Sequence, residues 1–200
     1  MKRTAQLAVC VAATLVLTGV GTDAQAHHAH GRHHTRIEHD GNSRVLLALG
    51  RLDRRLDRAT RPHRLASLTD TDRAALRTNV AADEAAVEEA ATEYAYRPSR
   101  RSFGDARTVL KTFHHSRYVV ATNILRRAAE VQAAIVELQP QVALGSEDEA
   151  ALAAAGQLLA GVEASDFRAT TRHATVTAAR QAVARAGALV TQVRDDLATP

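Results

Sequence analysis

Apolar residues recur along this chain at helical steps, and prolines cut the recurrence into segments. Val45, Leu49, Leu52, Leu56 and Ala59 alternate steps of four and three, which lays one stripe along an α-helix until Pro62 stops it. Thr69 opens a second segment, with Asp72 as its capping-box partner and Asp70 at the positive helix end. That helix is predicted to run to about Tyr96. Pro98, Ser99, Ser102 and Gly104 form the next break, and a third helix is predicted from about Asp105 to Gln139, roughly 50 Å long. Its seam reads Leu110, Phe113, Arg117, Val120, Ile124, Arg127, Val131, Ala134 and Leu138 before Pro140 ends it. Ser146 with Glu149 forms another capping box and starts a short helix using Leu152, Leu159 and Val162. A last helix, from about Thr170 to Ala198, places Val176, Ala179, Val183, Ala186, Val190, Val193 and Leu197 on one stripe. Gly187 inside it costs about 1 kcal/mol relative to alanine.

Alanine supplies 42 of the 200 residues, aromatics only 3%, and tryptophan is absent. Small side chains let helices approach closely, whereas strands would want alternating β-branched and aromatic residues. The expected fold is therefore all-α: an antiparallel bundle of four to five helices in a single domain over residues 43–200. A long dimeric coiled coil is the lesser alternative, because Pro62, Pro98 and Pro140 interrupt any continuous rod. The bundle is expected to be a monomer or a weak dimer.

Residues 1–26 have the order of a secretory signal: Lys2 and Arg3, an apolar run from Leu7 to Val20, then Ala24 and Ala26 before the cut. A secreted protein is expected. The single cysteine, Cys10, falls inside that signal, so packing and not disulfides must hold the mature chain. No later run has the length of a membrane span. Residues 27–42 are polar and nearly devoid of apolar side chains, and are expected to be disordered. They carry His27, His28, His30, His33, His34 and His39, an imidazole cluster able to offer ligands to Zn, Cu or Ni. A flexible tail lacks the fixed geometry of a dedicated metal centre, and no cofactor is otherwise implied.

Charge is unevenly placed. Residues 27–64 carry nine arginines and seven histidines against four acids, while residues 65–200 carry 15 basic against 17 acidic side chains. The basic end suits an anionic cell-wall polymer or membrane surface. Nucleic acid is not the expected partner, because no aromatic residues are interleaved for stacking on bases.

Two charged residues fall on apolar seams: Asp83 between Val80 and Val87, and Arg117 between Phe113 and Val120. On neighbouring antiparallel helices they are expected to form a buried ion pair that fixes register. Replacing Arg117 by leucine would then destabilise the fold markedly. Patterns for catalysis are missing: there is no Glu-x-x-His pair of a di-iron bundle, no His-Glu-x-x-His, no Gly-x-Ser-x-Gly and no phosphate-cradling glycine loop. His114 and His115 would point about 100° apart on a helix and read as a solvated face. Glu88-Glu89 and Glu147-Asp148-Glu149 read as helix surface and helix-start acids.

Leu68-Thr69-Asp70-Thr71-Asp72-Arg73-Ala74-Ala75-Leu76, then Asn79-Val80-Ala81-Ala82-Asp83 and Arg117-Tyr118-Val119-Val120, resemble a group of secreted, uncharacterised all-helical proteins of actinobacteria. The resemblance covers about residues 66–138 and, less fully, Ala178-Ala179-Arg180. Tyr118 directly follows the arginine here, where that group has an Arg-Val-Tyr-like order. The resemblance implies a secreted bundle of no known activity, with Asp83 and Arg117 as a signature pair. The functional expectation is a non-catalytic protein that binds or builds at the cell envelope. The alternative is an extracytoplasmic metal-binding or metal-stress protein using the histidine tail.

Overall fold

A computed structural model describes the backbone of residues 32–199 and the side chains of residues 43–199. Among these residues the fold is all-α, with no strand. Helix α1 (Arg32–Asp57) is followed by a short turn of 3₁₀ helix, the four-residue α2 (Pro62–Leu65) and the long α3 (Asp70–Tyr96). Then come α4 (Arg100–Thr112), α5 (Ser116–Leu138), α6 (Glu147–Ala160) and α7 (His173–Ala198). The secretory signal and the first tail histidines lie outside the described residues. The α1 backbone reaches back to Arg32 and takes in His33, His34 and His39, because adding residues to an existing helix is far easier than nucleating one.

The expected punctuation is largely present. Thr69 caps α3 through the Asp72 amide, Ser146 caps α6 through the Glu149 amide, and Pro62 opens α2. Gly145 takes the turn before Ser146 at φ 75°, a left-handed conformation that favours glycine. Ser99 caps α4 in a reciprocal box with Ser102, so that helix starts five residues before the expected Asp105. Leu49, Leu52, Leu56 and Ala59 are buried as the first stripe requires, as are Val80, Asp83 and Val87 on α3.

The expected third helix is two helices. Phe113 is extended (φ −85°, ψ 114°) and the chain restarts at Ser116, which raises the bundle to six substantial helices plus α2. The expected seam holds in large part beyond the break, with Ile124 and Leu138 buried and Val120, Val131 and Ala134 packed against the core. Tyr118, Ala121, Ile124, Leu125, Ile135 and Leu138 face inward, whereas Arg127, expected on the seam, is exposed.

Helices α1, α3 and α4 pack on one another, and α5, α6 and α7 form a second triplet. Direct helix-on-helix packing between the triplets is slight; the Ala164–Asp166 turn reaches across to α3 instead. One continuous apolar cluster nevertheless runs through both.

Candidate functional site

Asp83 sits at the junction of the two triplets, 1% exposed. A carboxylate removed from water needs donors for both oxygens, and it has them. Arg168 donates to Oδ1 from Nε at 3.0 Å and from Nη2 at 2.6 Å. The Tyr118 hydroxyl donates to Oδ2 at 2.6 Å, and so does the Ala169 backbone amide. Burial pushes the Tyr118 phenol far above its ordinary range, and the hydrogen bond to Asp83 and that carboxylate's charge push the same way. Tyr118 is therefore a neutral donor, not a base.

The expected partner of Asp83 is thus corrected. Arg117 does not pair with Asp83: its Nε is buried without a hydrogen-bond partner, and its neighbour Tyr118 holds the inward position. Adjacent residues on a helix diverge by about 100°, so only one of the two can face α3. Arg168 lies in the connection between α6 and α7, where no periodic pattern marks it. One turn before Asp83, Asn79 donates its side-chain amide to the carbonyls of Phe167 (2.9 Å), Ser165 (3.1 Å) and Ala164 (3.2 Å). The His114 amide donates to Ala169 O at 2.9 Å. Asn79, Asp83 and Tyr118 are one clamp on the Ala164–Ala169 segment, with Phe167 and Ala169 buried beneath it. Every oxygen of the Asp83 carboxylate is engaged within the protein, so the group is structural.

A second polar cluster lies where α1 meets the break between α4 and α5. Arg51 and Arg55 from α1, His114 and His115 from the connection, and Ser116 at the start of α5 line a pocket of about 400 Å³. Its remaining wall is apolar, with Leu52, Leu110 and Phe113. No carboxylate lines it, and neither arginine has an ion-pair partner among the described residues. His115 is held below the ordinary imidazole range by burial first, then by the charges of Arg55 and His114. His114 and His115 lie in the connection and not on a helical face; His114 is solvated as expected, whereas His115 is half-buried.

Neither acid of this part of α1, Asp53 or Asp57, lines the pocket; their charges, after burial, raise Glu84 of α3 above the ordinary carboxylate range.

No group of three or more His, Cys, Asp or Glu side chains among the described residues is arranged to hold a metal ion. The side chains of His27, His28, His30, His33, His34 and His39 lie outside the described residues. No helix among the described residues is long and apolar enough to cross a membrane. The chain matches no family model, no curated protein and no solved structure.

Proposed function

We propose that this chain is an exported, non-catalytic helical bundle that binds an anionic polymer of the cell envelope. The observation that carries the reading is the uncompensated basic edge formed by α1 and its sequel. Residues 43–64 bear seven arginines against Asp53 and Asp57, and the ion pair formed there, Arg61 to Asp57, is 3.8 Å long and exposed. The buried charge of Asp83 is consumed internally, so the groups left for a partner along this edge are cationic and outward. A surface of one sign attracts a polyanion at long range and loses it as salt rises.

Co-sedimentation of the chain with an insoluble phosphodiester wall polymer, at low and at high salt, tests the reading. Binding that falls steeply with salt, and falls again when Arg44, Arg54 and Arg58 are changed to glutamine, is the expected result. Retention that ignores salt, or equal retention on an uncharged polysaccharide, refutes it. Stronger binding to anionic vesicles than to the polymer would move the partner to the membrane and likewise refute it.

The metal-capture alternative rests on the histidine-rich stretch of the sequence. It predicts submicromolar, stoichiometric binding of Zn, Cu or Ni by calorimetry in a chain starting at His27, lost in one starting at Gly41. Equal heats from both chains would remove it.

A further inference from the structure

We infer that the pocket of Arg51, Arg55, His114 and His115 is a binding site for an organic phosphate, its phosphoryl group held by the arginines and imidazoles. This rests on and deepens the envelope-binding reading by naming a discrete site within the basic edge. The cavity itself argues for a ligand of this kind. Two arginines and two histidines line one space with no carboxylate among its walls, and guanidinium charges gathered without a counter-charge are at their best when an anion joins them. Guanidinium matches phosphate oxygens in a planar, two-pronged geometry. Ser116, the first residue of α5, completes the lining with a hydroxyl.

Size and lining set the ligand class. At about 400 Å³ the space is larger than a bare phosphate and falls in the range of small-molecule sites. Leu52, Leu110 and Phe113 give one wall an apolar surface against which a short carbon substituent can lie. A phosphoryl group on a three-carbon or similar stem fits both halves. Such a unit is found free, as a small phosphomonoester, or as a repeat of a phosphodiester polymer.

His115 reports occupancy. Arg55 of α1 and His114 of its own connection are the charges that act on it; Arg51 lines the same pocket, and Leu110 of α4 and Phe113 just beyond that helix bring no charge. A bound dianion adds the missing negative charge, so saturation must shift the His115 titration upward from its present lowered position. A cluster with a purely structural role would show no such movement.

The experiment follows the imidazole signals of His114 and His115 by NMR in the intact chain, titrated with inorganic phosphate, glycerol phosphate and a soluble poly(glycerol phosphate). Saturable shifts at both histidines, an upward move of the His115 pKa, and tighter binding of glycerol phosphate than of inorganic phosphate are expected. The double variant Arg51→Gln, Arg55→Gln should weaken binding about tenfold or more with unchanged circular dichroism, while Arg185→Gln on α7 leaves it intact. Tighter binding of the polymer per repeat identifies the polymeric source; equal or weaker binding identifies the free ester. Unsaturable shifts, or equal affinity in the double variant, overturn the inference. Polymer co-sedimentation that persists without any histidine response removes the pocket but not the envelope reading; a pocket that saturates in a chain that ignores the polymer does the reverse.

Discussion

Asp83 is the residue on which the most depends. Replacing it by alanine strips partners from the Tyr118 hydroxyl, the Ala169 amide and Arg168, and loss of one member of a buried charged network costs about 3–5 kcal/mol. Urea unfolding should register that loss. Arg168→Leu leaves Asp83 Oδ1 without either of its donors and should cost about 1–3 kcal/mol, less than the loss of Asp83 because the arginine side chain is 44% exposed and water screens part of the pair. Arg117→Leu should cost little, which separates the observed network from the pairing expected on sequence. Tyr118→Phe removes a single hydrogen bond, worth about 1 kcal/mol, and changes the alkaline limb of stability. The folded-state pKa of Tyr118 is raised above the unfolded value, so its contribution is complete below about pH 10 and is lost as the pH rises beyond it. The alkaline onset of unfolding should lose that component in the phenylalanine variant. Asp83 was legible as a polar residue on an apolar stripe; its partners were not, since sequence spacing says nothing of which loop will arrive opposite.

Among the helices, the break between α4 and α5 shows a tertiary partner outcompeting helical continuity. Phe113, His114, His115 and Ser116 have modest helix propensity and no proline or glycine among them. The His114 amide finds its acceptor in Ala169 O, across the molecule, and the helix yields there. The caps and stops were legible because their chemistry is local: a hydroxyl, an amide three residues on, a ring without an N–H. Ser99→Ala should cost about 1 kcal/mol in thermal or urea unfolding, since Ser99 both caps α4 and anchors Ser102. Gly187→Ala should gain about 1 kcal/mol, because a Cβ there would meet Val131 Cγ2 at an ordinary 3.6 Å while the helix loses its most flexible residue. A lower melting temperature for that variant would show that α5 and α7 are already in contact too close to admit a methyl group.

Across the full bundle, the two helix triplets share one apolar cluster and are pinned to each other by the clamp of Asn79, Asp83 and Tyr118 on the Ala164–Ala169 segment. Asn79→Ala removes the side-chain donor from the Ser165 and Phe167 carbonyls, while Ala164 O keeps the Phe167 amide, and should cost about 1–3 kcal/mol. Hydrogen exchange should accelerate first at the amides of His114 and Ala169, on either side of the junction, while the amides of mid-α7 stay protected. Uniform acceleration throughout would mean that the junction and the bundle open as one unit. The functional surface divides in the same way. Excess basic charge near residues 43–64 was visible in the sequence, but the pocket was not, because Arg51 and Arg55 meet His114 and His115 only through the packing of α1 against the end of α4. Helicity, most helix boundaries and the buried stripes can be read from the order of residues, since capping, proline and apolar periodicity act within a few positions. The arginine that meets Asp83, the place where the longest expected helix breaks and the cations that share a pocket emerge only on folding, because they depend on contacts between segments tens of residues apart.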